Sequence, residues 1–332
     1  TPKTHRRQRQ MCIRDSPTDE KRTAVCCLSS VNLEFFDDWS VDDSTFIADC
    51  VEFLDYVLEY FIQNAEPHLK KAVYAAKMGR DLGLGAMGFH YYLQKNNIAF
   101  ESGGIGSAVQ ANHRIFHYIK KEADKATIRM GLEKGQAPDI QGSMRRNVSC
   151  IAIAPNANSG SILNTSPSID PITSNCFAQS TRVGTYVVRN KYLEKVLRAY
   201  CPYDADKETW LEEQWKSISQ HHGSVQHLDY LSDAHKKIFK TAYEIDQHWV
   251  IQHAEDRAPY IDQSQPVNIF FPAGTDKAYF NSVHLKGIRS KTLKTMYYCR
   301  MEREMQVGSL EKHQREALVD WNDKEKCHSC EG

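Results

Sequence analysis

The stretch that decides the fold is Asn147–Ile162, with the sequence NVSCIAIAPNANSGSI. Its first half is apolar, which is typical of a buried strand, and Pro155 ends that strand. Its second half is small and polar and can present successive backbone N–H groups before a helix that begins near Ser161. A strand, a turn and a helix N-terminus in this order favour anion binding, phosphate above all. A plain strand–helix turn that binds nothing has the same pattern.

Composition describes an ordinary globular protein. The chain has 332 residues, 41% of them hydrophobic and 25% charged, which allows one large α/β domain or two smaller ones. The formal net charge is zero, so no nucleic-acid or membrane partner is expected. No apolar run approaches the roughly 18 residues of a membrane span. Ten scattered cysteines favour a reducing, cytoplasmic compartment.

The N-terminal segment 1–16 differs from the rest of the chain. It is strongly basic, has little apolar content, and ends in MCIRDS, which resembles a translated sequencing adapter. We therefore expect residues 1–16 to be non-native and exclude them from the fold. A disordered basic arm is the alternative interpretation.

Periodicity predicts a helix-rich α/β chain. Strands are expected at Thr23–Leu33, at the apolar half of Asn147–Ile162, at Pro266–Phe271 and at Lys294–Tyr298, whereas Pro171–Arg189 is expected to be loop. Helical patterns cover the ranges 43–62, 67–76, 89–95, 107–130, 193–200, 209–219, 232–245, 247–258 and 276–285.

One motif matches a dinucleotide-binding turn. Gly83-Leu-Gly85-Ala-Met-Gly88 is a literal GxGxxG, but such a turn must follow a strand. The residues before it, 69–78, are rich in Ala and Lys and are typical of a helix. We interpret the glycines as close packing at a helix start. A dinucleotide-dependent oxidoreductase remains the alternative.

The C-terminal region beyond Arg300 is dominated by charged residues, which predicts a flexible tail at 304–332. The tail carries Cys327-x-x-Cys330, which is either half a zinc site or a dithiol that exchanges with a disulfide elsewhere. No second ligand pair lies at zinc spacing and no HExxH pattern occurs, so no metal site is expected. A zinc- or partner-binding module stays the alternative.

Several motifs, taken in order, resemble the C-terminal part of the large (α) subunit of class I ribonucleotide reductases. Val25–Asn32 is similar to the family strand that carries one of two redox cysteines, at the position of Cys26. Ala154–Ile162, followed by Asn164 and Ile169–Pro171, is similar to the loop that seats the substrate phosphates. The resemblance assigns phosphate binding to Pro155, Asn156, Ala157, Asn158, Ser159 and Gly160.

Two further matches lie near the C-terminus. Leu293–Tyr298 is similar to the strand whose paired tyrosines relay a radical, which assigns that role to Tyr297 and Tyr298. Cys327 and Cys330 are similar to the shuttle dithiol that reopens the active-site disulfide.

The resemblance implies the C-terminal part of a ten-stranded α/β barrel, over residues 17–303, followed by the tail. It implies reduction of ribonucleotides, as diphosphates, to deoxyribonucleotides by radical chemistry. It also implies a small (β) subunit whose metal centre supplies the radical, thioredoxin or glutaredoxin as reductant, and a homodimer when complete. Nucleotide effectors would bind in an N-terminal part that this chain lacks.

One departure from the family limits what this chain can do by itself. The thiyl-forming cysteine of the family lies in an Asn-x-Cys-x-Glu motif shortly before the redox cysteine, and no such motif occurs in this sequence. We therefore expect the chain as given not to turn over substrate. An incomplete barrel should also leave sheet edges open and favour aggregation.

Overall fold

The computed structural model describes residues 18–181 and 184–302. Within them, six strands form three two-stranded pairs. The pairs are β1 (Cys27–Asn32) parallel to β2 (Leu82–Met87), β3 (Cys176–Thr181) antiparallel to β4 (Gly184–Arg189), and β5 (Ile269–Phe271) parallel to β6 (Cys299–Met301).

Helices connect and cover these strands. They are α1 (Phe36–Trp39), α2 (Phe46–Asn64), α3 (Lys70–Gly79), α4 (Phe89–Lys95), α5 (Ala108–Lys134), α6 (Ala157–Ile162), α7 (Lys191–Tyr200), α8 (Lys207–Gln220), α9 (Asp233–Ile238), α10 (Gln247–Arg257) and α11 (Lys277–Arg289). Short 3-10 helices lie at Leu33–Phe35, Pro67–Leu69 and Ala258–Tyr260.

The extended segment 149–153 continues the sheet beyond β2. The Leu82 N–H donates to the Ser149 carbonyl at 2.9 Å and the Leu84 N–H to the Cys150 carbonyl at 2.7 Å. Only Ile151, in a parallel bridge with Leu84, has the regular pairing of a strand. The predicted strand is therefore present as an extended neighbour of β2, with one regular bridge residue.

Two further segments complete a row of five. The Gln263 N–H donates to the Ile151 carbonyl at 3.0 Å, which places 263–271 next to 149–153. The Tyr297 N–H in turn donates to the Val267 carbonyl at 2.9 Å, which adds the segment 297–301. The order across the row is thus β1, β2, 149–153, 263–271 and 297–301, with helices between successive members, as in an α/β barrel.

The main core lies on one face of this row. Leu82, Leu84 and Ala86 alternate along β2 and point into it, as the two-residue period of a strand requires. Apolar faces of α2 and α5 cover them, for example Leu54 and Ile115. Each fully buried leucine contributes roughly 1.5–3 kcal/mol. A second, smaller core surrounds Trp215 between α7, α8 and the β3–β4 hairpin.

A buried ion pair fixes the turn from α3 into β2. Arg80 ends α3 with a positive φ of 47°. Its guanidinium donates to both carboxylate oxygens of Asp55, at 3.0 and 2.9 Å, and to Glu59 at 2.7 Å. This cluster ties α2 to the start of β2.

Three sequence-based expectations are wrong. The glycines of Gly83–Gly88 do not begin a helix, because Gly83 and Gly85 lie inside β2 and only Gly88 precedes α4. Residues 171–189 are not all loop, because the antiparallel strands β3 and β4 form there. The long helix expected at 232–245 stops at Ile238, where a turn follows.

Strand boundaries near the tyrosines also differ from the expectation. The regular strand is Cys299–Met301, not Lys294–Tyr298. The expected residues are nevertheless extended beside 265–269, because the Thr295 hydroxyl donates to the Gln265 carbonyl and the Ile269 N–H donates to the Tyr298 carbonyl.

Candidate functional site

The glycines of β2 make room for side chains of β1 and for Cys26, the residue directly before it. A Cβ on Gly83 would lie 2.5 Å from Cδ2 of Leu28 and 3.0 Å from Sγ of Cys26. A Cβ on Gly85 would lie 3.0 Å from Oγ of Ser30. Cys26, Leu28 and Ser30 therefore lean across β2 on the face opposite the main core, where any larger residue would displace them.

A buried glutamine holds the Cys26 sulfur at one end of this face. Gln263 Nε2 lies 3.5 Å from Cys26 Sγ and also donates to the Leu82 carbonyl at 2.7 Å and the Ser149 hydroxyl at 2.8 Å. Three neighbouring segments of the row thus position one side chain beside the thiol. Gln263 contacts the candidate site residue Cys26, and the sequence analysis did not select it.

The small polar loop lies at the other end of the same face. Asn156 Nδ2 donates to Ser30 Oγ and to the Ala154 carbonyl, both at 2.9 Å. Ser30 is four residues beyond Cys26, which corresponds to about 13 Å along a strand. The structure therefore brings two predicted site residues, Cys26 and Asn156, onto one surface.

The helix after this loop begins earlier than expected. It starts at Ala157, so Asn158, Ser159 and Gly160 lie in α6 instead of in a turn before Ser161. The first N–H groups of a helix have no partner within it, and those of α6 follow Asn156 directly. A Cβ built on Gly160 would lie 3.2 Å from both Pro167 Cα and the Thr165 carbonyl oxygen. The helix therefore packs closely against the returning chain at this glycine.

The returning chain closes over the carboxyl ends of β1 and β2. The Gly88 N–H donates to the Ser166 carbonyl at 2.8 Å, and the Thr165 hydroxyl donates to the side chain of Asn32 at 3.3 Å. Ligands of parallel α/β sheets bind at this end of the strands. The loop thus lies at the end of the strands where such sheets bind ligands.

The two predicted relay tyrosines lie against each other. Their ring centroids are 4.0 Å apart with an interplanar angle of 58°. A hydrogen bond with Tyr298 raises the pKa of the Tyr297 phenol. Tyr298 is half exposed, and the Arg300 guanidinium lies 5.2 Å from its ring centroid. Four steps across the row separate this pair from β1, on the order of 19 Å along the sheet.

A partly buried carboxylate connects the loop region with the tyrosine strand. Asn268 Nδ2 donates to Asp170 Oδ2 at 2.6 Å, and the Tyr298 N–H donates to Asn268 Oδ1 at 3.3 Å. Burial raises the pKa of Asp170 to about 6. The sequence analysis gave Asp170 only as part of a matching motif and did not select Asn268.

Other predicted features fall outside this surface. Cys327 and Cys330, like segment 1–16, lie outside the residues that the structure describes. Among the described residues, no group of three or more His, Cys, Asp or Glu side chains could hold a metal ion. Within residues 18–181 and 184–302, no helix combines the length and apolar character needed to cross a membrane.

The fold and the site define a barrel-type α/β domain with a cysteine directly before β1 and a polar loop at the other end of the same face. The family model described as ribonucleotide reductase, barrel domain, matches residues 14–148 and 139–299. The chain therefore belongs to the ribonucleotide reductase barrel family.

Named relatives agree with the resemblance to class I large subunits. The chain is 43% identical over 290 residues to the ribonucleoside-diphosphate reductase large subunit of Invertebrate iridescent virus 6, covering 86% of this chain and 29% of the relative. It is 41% identical to that of Invertebrate iridescent virus 3, covering 95% and 49%. These matches confirm the family inferred from the motifs.

A solved structure supports the fold. The class Id ribonucleotide reductase alpha subunit of Actinobacillus ureae superposes with a TM-score of 0.76 at 37% identity, covering 86% of this chain and 51% of that one. The chain thus spans about half or less of the length of these relatives. The expected barrel fold is confirmed.

Proposed function

We propose that this chain is part of a ribonucleotide reductase large subunit that reduces ribonucleoside diphosphates to deoxyribonucleotides for DNA synthesis. The observation that carries the proposal is the shared face of β1 and β2. It presents the Cys26 sulfur at one end and, through Ser30, the Asn156 loop at the other. The names of the relatives agree with this substrate class.

Cys26 supplies half of the reducing power in this proposal. The reaction replaces the ribose 2′-hydroxyl by hydrogen, and the hydroxyl leaves as water. Two thiols give up two electrons and two protons and close to a disulfide. Cys26 is one of these thiols, and the second thiol and the thiyl-forming cysteine come from residues outside this chain.

The loop seats the diphosphate. Its proposed contacts come from Pro155, Asn156, Ala157, Asn158, Ser159 and Gly160. N–H groups at the start of α6 and the helix dipole favour the negative charge. The ribose then lies towards Cys26 along β1. The glycines of β2 support this arrangement because the space beside them holds both the Cys26 thiol and Ser30, the residue that contacts the loop.

Tyr297 and Tyr298 pass an electron and a proton stepwise between a small (β) subunit and the thiyl cysteine. The small subunit generates the radical at its own metal centre. The 4.0 Å separation of the two rings suits transfer between adjacent phenols. The exposure of Tyr298 suits a group that faces a partner.

Cys327 and Cys330 reopen the disulfide and are themselves reduced by thioredoxin or glutaredoxin. A linker of 28 residues, the number between Tyr298 and Cys327, is long enough to reach about 30 Å. Tethering raises the local thiol concentration towards the millimolar range. The complete subunit works as a cytoplasmic homodimer with nucleotide effectors bound in its N-terminal part.

The decisive experiment uses the complete subunit together with its small subunit. Cys26→Ser and Tyr298→Phe should each abolish turnover while nucleotide binding is retained. Cys201→Ser and Tyr203→Phe are matched controls outside the strand row, and both should keep turnover. Retained activity in either site variant would remove that residue from the mechanism.

A second experiment isolates the shuttle. The double variant Cys327→Ser, Cys330→Ser should remain active with dithiothreitol, which reaches the disulfide directly, and lose activity with thioredoxin. Equal losses with both reductants would contradict the shuttle role.

The structure does not favour dinucleotide binding by the GxGxxG motif. Gly83 and Gly85 are buried inside a strand, and the positions of their Cβ atoms are occupied by Leu28 and the Ala152 carbonyl. A pyrophosphate needs close approach to a glycine backbone at a turn after a strand. The reductase proposal, in contrast, involves Cys26 and Ser30, two of the residues that lie beside these glycines.

A further inference from the structure

Asp170 lies at the junction of two parts of the proposed site. It follows the loop by ten residues and is partly buried. Its Oδ2 atom accepts a 2.6 Å hydrogen bond from Asn268 Nδ2. Asn268 belongs to the segment that runs beside the tyrosines and is itself only 7% exposed.

The other end of the Asn268 amide holds the tyrosine strand. Asn268 Oδ1 accepts the Tyr298 N–H at 3.3 Å. Main-chain bonds on both sides, from Tyr297 to Val267 and from Ile269 to Tyr298, are each 2.9 Å. Asn268 therefore uses both halves of its amide, one towards the loop region and one towards the tyrosine.

We propose that Asp170 and Asn268 are positioning residues that tie the phosphate loop to the tyrosine strand and fix the position of Tyr298. The catalytic part of this proposal rests on the proposed function, in which the loop binds the substrate and the tyrosines carry the radical. The link itself is a structural property that can be measured without turnover.

Charged groups from two elements face this carboxylate. Arg257 of α10, which is fully buried, and Arg300 of β6 both favour the ionised form, while burial opposes it and raises the pKa of Asp170 to about 6. Burial lowers the pKa of Arg257 to about 9, and Asp170 and Asp256 oppose that decrease. Arg257 Nε donates to Gln265 at 2.5 Å, and its Nη1 has no hydrogen-bond partner among the described residues.

The ionisation of Asp170 sets the strength of the link. A carboxylate accepts a hydrogen bond more strongly than a carboxylic acid. Asn268 should therefore be held more firmly as pH rises through about 6, the pKa of Asp170. The Tyr298 amide should become better protected from solvent exchange over the same interval.

The test is hydrogen exchange at the Tyr298 amide of this chain, followed by NMR and corrected for intrinsic rates. Asn268→Ala should speed exchange about fivefold to tenfold, the effect of one lost hydrogen bond. Asp170→Ala should give a similar increase, and the shape-conserving Asp170→Asn a smaller one. Asn112→Ala, which removes another buried asparagine bonded to a carbonyl, should leave Tyr298 exchange unchanged.

The pH profile separates positioning from a general packing role. The parent chain should show a step in Tyr298 protection near pH 6, and Asp170→Asn should lack the step and stay at the low-pH level. Unchanged exchange in both Asn268→Ala and Asp170→Asn would overturn the proposal, as would a step that persists in Asp170→Asn. Since Asp170→Asn keeps the shape of the side chain, a folding failure of the alanine variants does not remove the test.

The catalytic consequence is tested separately in the complete subunit. Asn268→Ala should lower kcat at least tenfold and leave the KM for the nucleotide unchanged. If Tyr298→Phe retains turnover, the relay function fails while the exchange result still stands. If Tyr298→Phe abolishes turnover and Asn268→Ala does not lower kcat, the positioning role fails and the relay stands.

Discussion

Replacing Gly85 by alanine tests how closely β2 and the loop segment pack. The new Cβ would lie 2.7 Å from the Ala152 carbonyl oxygen and 3.0 Å from Ser30 Oγ. The carbonyl belongs to the main chain and cannot rotate away, so segment 152–154 must shift. Overpacking of this kind costs about 1–3 kcal/mol, and the lower entropy of the unfolded alanine chain returns about 0.4–1 kcal/mol. We expect a net loss on the order of 1–2 kcal/mol.

Gly103→Ala is the matched control. Its Cβ would meet only Trp249, at 3.6 Å, an ordinary contact. Its stability should stay equal to the parent or rise by about 0.4–1 kcal/mol.

Urea unfolding followed by far-UV circular dichroism measures both variants. With a slope of about 3 kcal/mol per molar urea, the Gly85→Ala midpoint should fall by about 0.3–0.7 M. A midpoint equal to or above that of Gly103→Ala would refute the close packing of β2 against the loop.

Three further predictions concern stability, pH and thiol reactivity. Arg80→Leu leaves a buried carboxylate without its main partner and should cost about 3–5 kcal/mol in urea unfolding, whereas Arg198→Leu, at an exposed pair, should leave the midpoint unchanged. Burial lowers the pKa of His90 to about 3, so the unfolded chain binds the extra proton between about pH 6.5 and 3. His90 therefore makes stability fall with decreasing pH, by about 1.4 kcal/mol per unit, and the measured slope should drop by one proton in His90→Gln. Cys299, which is exposed, should react with iodoacetamide in the folded chain. Cys150, buried with a pKa raised to about 12, should react only after unfolding, as mass spectrometry would show.

The amphipathic helices were predictable because their apolar faces repeat every 3.6 residues, and α5 extends only a few residues beyond the predicted range. Phe89–Lys95 was also placed at its observed bounds, although residues 89–94 are all buried and the helix has no polar face. β2 was missed because glycine is rare in strands and its two glycines imitate a turn motif. Glycine is needed at 83 and 85 because side chains of β1 occupy the space where Cβ atoms would lie. This requirement comes from a neighbouring strand, so no local pattern in residues 82–87 predicts it.

The site was predictable where a residue acts through its own chemistry. The Asn156 loop was selected from its small, polar sequence after a strand and Cys26 from the resemblance to the reductase family, and the structure places them on one face. Gln263 and Asn268 were missed because amides are common on surfaces, and only tertiary contacts show that these two are buried and bonded at both ends. The sequence did contain one indication of their role. Gln263 and Asn268 are polar residues, within 262–268, directly before the apolar strand residues 269–271.

The row of five segments ends at β1 on one side and at Cys299–Met301 on the other. Within residues 18–181 and 184–302, β1 pairs only with β2, and Cys299–Met301 is exposed along its length. Each outer strand thus presents backbone donors and acceptors to any polypeptide with matching strands. A separately expressed polypeptide that carries the remaining strands of the barrel would attach at both ends, and the first contact would raise the effective concentration for the second. Under the proposed function we therefore predict a split enzyme: mixing this chain with such a polypeptide should give turnover that neither shows alone, which provides a readout for their association.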